Sequence, residues 1–408
     1  MSAHSPVQAP AEERFNLTKL GLLPLLLLAV GVLALGTTLV WGALDAKRFA
    51  FGWLVAFMFV FTIAAGCLFW TLIHHALDCD WSVTTRRLME NVACLFPWIA
   101  AFFLPIFLLP GKVYKWWNID PHTDHLLHHK SLLLNHGAYW GFAILCLGFF
   151  AGCAWLMRSL SVKQDGSGDP QISIRMRQFA YAGLILFALV ISFAGIMWIM
   201  ALDYHWFSTM WGVYIFAGSA GSGLAAIILI SHALRAAGYL QGVVTVEHDH
   251  ILGKLLFAFT VFWAYIAFSQ YMLYYYANIP EETIFFIQRN EGTWYHLSIF
   301  LVFGRFFFPF LLLITQPAKR NPYRLCFAAA WILAMHFLDL YWMIMPQYQV
   351  NTAVDPAARG LEIKFLLDVL AVLGMLAVLA FAFLRSLPKA CLFPKRDPRL
   401  YESVTLTN

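Results

Sequence analysis

Residues 50–76 read AFGWLVAFMFVFTIAAGCLFWTLIHHA, a run of 27 residues with no Asp, Glu, Lys or Arg. A helix needs about 20 predominantly apolar residues to cross a bilayer, so this run predicts a transmembrane helix. The same composition extends along the chain, because 61% of the 408 residues are hydrophobic and 12% are charged. A typical soluble domain has about 25% charged residues. These proportions exclude a water-soluble protein and predict an all-α integral membrane fold.

Nine further stretches have a similar length and polarity. With the first they predict ten spans, at roughly 20–42, 50–76, 90–110, 134–157, 179–202, 209–234, 252–275, 293–315, 323–345 and 363–386. We expect one membrane domain over residues 20–386, with two four-helix bundles at roughly 50–202 and 209–345 and two peripheral helices. Residues 1–19 and 387–408 are then terminal tails.

The distribution of Lys and Arg predicts the orientation of the chain. If both termini are cytoplasmic, 18 of the 27 basic residues fall on the cytoplasmic side and 8 on the other. Cytoplasmic loops carry an excess of positive charge, so this bias favours both termini inside and an even number of spans. Arg305 is the one basic residue that the topology does not assign to a loop.

Span six carries the small residues GSAGSG at 218–223. Small residues allow helix backbones to approach closely in a membrane. We predict a helix-packing contact at this segment, with a kink that lines a substrate path as the alternative.

Arg305 lies near the middle of span eight, where an ionisable side chain costs several kcal/mol unless it is paired or hydrated. Span nine offers His336 and Asp339, which are three residues apart and therefore share one helical face. From depth alone we expect an Arg305–Asp339 pair. A static ion pair, a proton relay and a quinone contact are three interpretations that the sequence leaves open.

The remaining ionisable groups of the spans separate by depth into two sets. The outer set contains Asp203, His205, His296, Lys364 and Asp368, and the inner set contains His74, His75, Asp78, Glu90, His232 and Arg235. Carboxylates and imidazoles pass protons through water, so the sets could be two proton half-channels. They could equally be helix ends anchored at the membrane interface.

The seven cysteines stand alone, without CxxC or CxxCH, so the chain has no c-type haem motif and no cysteine pattern for a cluster or zinc site. A b-type haem needs two facing histidines on different helices. Two candidate pairs exist: His74 or His75 with His232, and more loosely His296 with His336. Neither pair provides two histidines per helix, which two haems stacked across the bilayer would need.

The loop at 121–129 is rich in histidine. His125 and His129 are four residues apart, so they would share a face and could bind a metal if this loop is helical. Because the sequence provides no second ligand set, we favour a solvated docking loop and predict no metal site.

Two segments resemble a known family. Residues 200–214, MALDYHWFSTMWGVY, are similar to the junction between spans five and six in the F subunits of bacterial alternative complex III, which belong to the NrfD- or PsrC-like integral membrane proteins. Residues 394–403, PKRDPRLYES, are similar to the tail of the same subunits. The ten-span layout also agrees along the whole chain.

The resemblance implies a subunit of a quinol:cytochrome c oxidoreductase in a bacterial inner membrane. Such subunits form two four-helix bundles and hold no haem or cluster themselves. Their partners are an iron–sulfur protein, multihaem and monohaem cytochromes c and a second NrfD-like subunit, to which the quinol site is generally assigned. The F subunit is then expected to conduct protons or to make a second quinone contact.

We therefore predict a non-haem membrane subunit of a respiratory chain complex, with no covalently bound cofactor and with quinone or quinol as the only expected small ligand. The candidate proton path comprises Arg305, His336, Asp339, Asp368, His296, Asp203, His205, His74, His75, Asp78, Glu90 and His232. A secondary transporter or channel is the alternative function, and a b-type cytochrome is a third.

Overall fold

The structure, a computed structural model, describes residues 12–407, so residues 1–11 and Asn408 of the predicted tails lie outside the described residues. Within that range ten helices are long and apolar enough to cross a membrane, and no strand occurs. They are α1 (Leu23–Leu44), α2 (Ala46–Ala76), α3 (Val83–Leu108), α4 (His136–Ser167), α5 (Pro170–Leu202), α6 (Trp211–Ala236), α7 (Val246–Ala277), α8 (Trp294–Leu313), α9 (Pro322–Asn351) and α10 (Phe365–Lys389). The prediction of an all-α membrane fold with ten spans is confirmed.

Helix α2 is the central element, and almost all residues of its most apolar segment are buried inside the protein. Helices α3, α5, α6, α9 and α10 all pack against it. A helix that is hydrophobic on every side can be surrounded by protein or by lipid. Residues 50–76, which lack a polar face, are surrounded by protein. Helix α1, by contrast, is mostly exposed and packs along α10.

Helices α2 and α6 approach each other closely through glycines. A Cβ atom on Gly66 would lie 1.9 Å from the Ser219 carbonyl oxygen, and one on Gly223 would lie 2.7 Å from the Gly66 carbonyl carbon. Helix α6 runs without a break through 218–223. The small residues therefore form a packing contact, as predicted, and do not form a kink.

Two other spans are interrupted at prolines. Helix α3 consists of three short segments, with Pro97 and Pro105 near the start of the second and third. Helix α8 contains a π-helical turn over Val302–Phe307, just before Pro309. Proline removes a backbone donor, which explains why regular α-helix fails at these sites.

Both ends of the described chain lie on one face of the bundle. The Leu392 amide donates to the Glu13 carbonyl at 2.9 Å, and Lys395 pairs with Glu12 at 2.8 Å. We call this the terminal face and the other the opposite face. Termini on one face require an even number of spans, in agreement with the charge count.

Candidate functional site

A buried ion pair lies between α8 and α9. The Arg305 guanidinium contacts the Asp339 carboxylate at 2.6 Å, and neither side chain is more than 6% exposed. Arg305 also lies over the ring of Trp263 on α7, 4.3 Å from its centroid. The pairing expected from depth is therefore present, and an aromatic face on a third helix adds a cation–π contact to it.

Two further side chains join this pair. The Tyr214 hydroxyl on α6 donates to Asp339 Oδ1 at 2.6 Å, and an Arg305 N–H donates to His336 Nδ1 at 3.1 Å. Because guanidinium only donates, Nδ1 must be the unprotonated ring nitrogen. The proton is then on Nε2, which lies 2.8 Å from Thr62 Oγ1 on α2. We call these five residues, Thr62, Tyr214, Arg305, His336 and Asp339, the central cluster.

The π-helical turn determines the backbone around Arg305. Its last hydrogen bond runs from the Phe308 amide to the Phe303 carbonyl. The next carbonyl, that of Gly304, would receive the amide hydrogen of Pro309, which proline lacks. The indole N–H of Trp331 on α9 donates to the Gly304 carbonyl instead, at 2.6 Å. Thus α9 supplies both the counterion of Arg305 and a side-chain donor that replaces the missing backbone N–H.

Space for the cluster comes from one of the small residues of α6. A Cβ atom on Gly218 would lie 2.9 Å from the His336 ring and 3.2 Å from the Arg305 guanidinium. Glycine at this position therefore allows the histidine and the arginine to lie against the backbone of α6. The sequence predicted the packing role of this segment but not its role beside the ion pair.

The opposite face contains a second buried ion pair. Arg48 donates to both carboxylate oxygens of Asp368, at 3.0 and 2.6 Å, and lies 3.4 Å from Glu362. A Cβ atom on Gly52 would lie 1.8 Å from Asp368 Oδ1, so only glycine leaves room for this carboxylate. Arg48 is 2% exposed. The charge count places Arg48 among the eight basic residues of the outer loops. That placement is wrong, because α2 begins at Ala46, before the predicted start of span two, and carries Arg48 into the bundle.

The terminal face contains a larger network on α2 and α3. Arg86 donates to His74 Nε2 at 2.6 Å, to Glu90 at 3.0 Å and to Asp397 of the tail at 2.7 Å. Arg87, beside it, contacts Asp165 at 2.8 Å. Both arginines are fully buried, so they are not solvated orientation charges. The charge count assigns both to the loop before predicted span three; that assignment is wrong, because α3 begins at Val83 and includes them.

The predicted inner set is divided in the structure. His232 and Arg235 on α6 pair with Asp249 on α7, where an Arg235 N–H lies 2.7 Å from His232 Nε2 and 2.8 Å from Asp249. Asp78 lies at the surface and pairs with Arg177 at 2.5 Å. Among the hydrogen bonds and ion pairs of the described chain, none links these groups to the central cluster.

His75 is buried beside His74, with its ring 4.8 Å away, and its Nε2 has no hydrogen-bond partner in the described residues. Both rings line a cavity of about 140 Å³ at the terminal face, together with Arg86 and Asp397. The cavity is therefore lined in part by the terminal-face network itself.

Three members of the predicted outer set remain apart from the pairs. Asp203 and His205 contact each other at 3.3 Å, and Asp203 accepts the His205 amide in the turn between α5 and α6. His296 is exposed at the start of α8, with its ring against Tyr295. Lys364 pairs with Asp45 in a partly exposed position. Of the predicted outer set, only Asp368 therefore takes part in a buried ion pair.

Three histidines, two of them buried and one partly buried, share one arrangement. His74, His232 and His336 each accept a hydrogen bond from an arginine, namely Arg86, Arg235 and Arg305, and each of these arginines also binds a carboxylate. Each imidazole is thereby held as the neutral tautomer whose free nitrogen faces the arginine. The sequence shows the histidines, but the arginine that each one uses is set by the tertiary fold.

Helix α2 fixes the relative depth of the groups. Arg48, Thr62 and His74 are separated by 14 and 12 residues, which corresponds to about 21 and 18 Å along the helix. The hydrocarbon core of a bilayer is about 30 Å thick. The central cluster therefore lies near the middle of the membrane, and the other two groups lie near its two boundaries.

The two intervals along α2 differ in polarity. Between Arg48 and Thr62 the helix reads FAFGWLVAFMFVF, with no ionisable side chain. Between Thr62 and His74 the helix carries Cys67 and Thr71. The Cys67 thiol contacts the Gly223 carbonyl of α6, so the adjacent Ser222 lies at the same depth in the bundle. The Thr71 and Ser222 hydroxyls donate to carbonyls of their own helices. A proton could cross this interval only with the help of water.

Two charged groups outside the spans have pKa values that the fold displaces. Burial alone would raise the pKa of Asp397, but the charge of Arg86 and the hydrogen bonds from Arg86 and the Arg399 amide lower it below its usual value. Burial lowers the pKa of Arg289 to about 9, so this side chain remains charged at neutral pH.

Arg289 has a structural role. Its Nε and one terminal nitrogen donate to the Trp342 and Met343 carbonyls of α9, at 3.1 and 2.6 Å. Pro346 lies inside α9 and cannot donate to the carbonyl four residues earlier, which is that of Trp342. A buried cation therefore replaces the missing backbone donor. The charge count includes Arg289 among the loop charges of the outer side, and this structural role was not predicted.

Comparison with known proteins adds no assignment to this geometry: no family model matches the chain, and no curated protein matches it either.

Proposed function

We propose that the chain is a non-haem membrane subunit of a respiratory quinol:electron-acceptor oxidoreductase of the alternative complex III type. In this proposal it contributes to the scaffold and conducts protons coupled to quinol oxidation. The observation that carries the proposal is the central cluster, a buried Arg305–Asp339 pair with a neutral imidazole in the middle of a ten-helix membrane domain. Burying ionisable groups at this depth costs free energy, and such groups commonly belong to ion or proton pathways.

Asp339 is the group in the cluster that can exchange a proton with least rearrangement. Protonation would neutralise its charge and weaken its contact with Arg305, while Tyr214 would keep a hydrogen bond to the carboxyl group. Arg305 would then be free to change its contacts with His336, whose Nδ1 it occupies in the resting arrangement. A carboxyl and an imidazole that share one arginine thus form a two-state element.

The polarity along α2 supports a path between the central cluster and the terminal face. Hydroxyl and thiol groups at Thr71, Ser222 and Cys67 lie on that side, together with the His74 and His75 cavity. The apolar interval towards Arg48 supports a barrier on the other side. Under the proposed orientation, the polar side faces the cytoplasm of a bacterial inner membrane.

The chemistry of the histidines favours this function over a b-type cytochrome. An axial haem ligand needs an unprotonated ring nitrogen directed at iron. In His74, His232 and His336 that nitrogen accepts a hydrogen bond from an arginine. Haem binding by the pairs weighed above would require these arginines to leave.

The interrupted helices do not favour a secondary transporter. Inverted-repeat transporters carry broken helices at corresponding positions of their two halves. Here the interrupted spans are α3 and α8, the second and third members of the two predicted bundles. Their positions do not correspond.

The partners in this proposal are an iron–sulfur protein, multihaem and monohaem cytochromes c and a second NrfD-like subunit. Quinol oxidation would take place mainly at the second subunit, with a further quinone contact on this chain. The test is purification of the tagged chain from its native membrane in a mild detergent. We expect co-purifying iron–sulfur and c-type haem chains and quinol-dependent cytochrome reduction. Purification of the chain alone, or with partners that lack redox centres, would refute the assignment.

A further inference from the structure

The histidine-rich loop contains a short helix, His125–Lys130, which the proposed function does not use. The Asp124 carboxylate accepts the Leu126 and Leu127 amides at its N-terminus, and Leu127 is fully buried. Lys130 at its other end donates to the Tyr204 carbonyl at 2.6 Å. The helix is therefore held at both ends and by its middle. The condition that the sequence set for a metal site, that this loop be helical, is met.

The two histidines of the i, i+4 pair face each other on the exposed side of this helix. Their Nε2 atoms are 3.3 Å apart, and both residues are at the surface. A tetrahedral zinc site has Zn–N distances of about 2.0–2.1 Å, which places two nitrogen ligands about 3.3–3.4 Å apart. The observed separation equals the edge of such a site. Without metal the two Nε2 atoms share a hydrogen bond at this distance, and metal binding would replace its proton.

We propose that His125 and His129 form a surface site for a divalent transition metal of the zinc class. Each Nε2 supplies one bond, and imidazole is a preferred ligand for zinc, cobalt, nickel and copper. Among the described residues no group of three or more His, Cys, Asp or Glu could hold a metal, so the remaining positions of this site are open to water or to a donor from another chain. The site is thus an open one.

The inference does not depend on the respiratory role, because it concerns only the exposed helix. The experiment uses the full chain, purified in detergent with a tag that lacks histidine and stripped of metal with a chelator. Cobalt(II) is titrated and its visible d–d absorption recorded, and zinc(II) is then added as a competitor. We expect one saturable cobalt per chain and its displacement by zinc. Because a ligating imidazole must be unprotonated, binding should weaken as the pH is lowered.

The variants are His125→Gln and His129→Gln, each of which removes one ligand from an exposed position. We expect each to abolish the saturable component. The matched control is His296→Gln, which removes an exposed histidine at the start of α8 and should leave binding unchanged. Absence of saturable binding in the parent chain would overturn the proposal. So would binding that survives both substitutions, or binding that the control abolishes equally.

Discussion

At the scale of single residues, charge in this protein is buried far more often than its sequence suggests. The Arg305–Asp339 pair could be predicted because both residues lie deep within apolar spans. Arg48 could not, because a basic residue near a predicted helix end looks the same whether it reaches solvent or turns inward. Its carboxylate partner, Asp368, is 320 positions away in the chain. Only the tertiary fold identifies such a partner.

The Arg48–Asp368 pair gives a prediction about stability. Arg48→Ala leaves a buried carboxylate without its counterion, and breaking a buried pair in this way costs about 3–5 kcal/mol. We expect a lower unfolding temperature in detergent, measured by tryptophan fluorescence. Replacing both residues, with Met and Leu respectively, should cost much less, because no buried charge remains. A double variant that is no more stable than Arg48→Ala would contradict this account.

Tyr214 and Thr62 were missed for a related reason. A hydroxyl on an apolar helix is common and usually bonds to its own backbone, so neither residue stands out in the sequence. Tyr214 lies at the end of the 200–214 segment that carries the family resemblance, but its role as a donor to Asp339 follows only from the packing of α6 against α9. Position on a helix was predictable, whereas partnership across helices was not.

At the scale of elements, the spans were predicted well and their ends poorly. Hydropathy identifies the apolar part of a helix. It does not identify the polar turns by which the helix continues beyond that part. Helix α4 reaches Ser167, whereas the predicted span ends at 157. Helix α4 ends at Gly168, whose φ is 68°. Asp169 caps the N-terminus of α5, and Pro170 is its first residue. The π-helical turn of α8 was not predicted, because Pro309 indicates an irregularity without fixing its form.

The π-helical turn predicts the effect of removing one indole N–H. Trp331→Phe keeps an aromatic ring but leaves the Gly304 carbonyl without a donor inside the membrane. An unsatisfied buried polar group costs about 1–3 kcal/mol. We expect that loss in unfolding measurements, and no comparable loss for Trp155→Phe, whose ring is 68% exposed. Equal effects of the two substitutions would show that the indole bond does not stabilise the turn.

The contact between α2 and α6 predicts a strong dependence on glycine. Gly66→Ala would place a methyl group 1.9 Å from the Ser219 carbonyl, so the two helices must separate. We expect a large drop in the unfolding temperature and in the yield of folded protein. Gly148→Ala on α4 is the control, because nothing lies within 4 Å of its added methyl group. A stable Gly66→Ala protein would refute the close approach.

The C-terminal tail gives a prediction about pH. The pKa of Asp397 is lowered in the folded protein, so its pairing with Arg86 stabilises the docked tail above the usual Asp pKa of about 3.9. That contribution is lost as the pH falls through the lowered folded value. Hydrogen exchange of Leu400–Val404, corrected for intrinsic rates, should stay slow from neutral pH down to about pH 4 and rise below it. In Asp397→Asn we expect faster exchange and no such transition.

At the scale of the whole molecule, one buried helix contacts three separate ionic groups. Helix α2 contributes Arg48 near one boundary, Thr62 at the centre and His74 near the other. Hydropathy predicts such a helix as an ordinary span, because its polar residues are few and widely spaced. Their common alignment appears only when the partners on α3, α9 and α10 are in place.

The central claim is that the Arg305–Asp339 pair takes part in proton movement and is not merely a fixed ion pair. Asp339→Asn tests it most directly, because it preserves the shape and the Tyr214 contact but removes the exchangeable carboxyl. The matched control is Glu291→Gln, which removes a carboxylate paired with Arg359 outside the spans.

The decisive measurement is quinol-driven proton movement by the assembled complex in vesicles, recorded with a pH-sensitive dye. We predict that the Asp339→Asn complex assembles with all its partners but loses proton movement, while the Glu291→Gln complex retains it. A fully assembled Asp339→Asn complex that moves protons at the parental rate would contradict the account and leave the pair with a structural role alone.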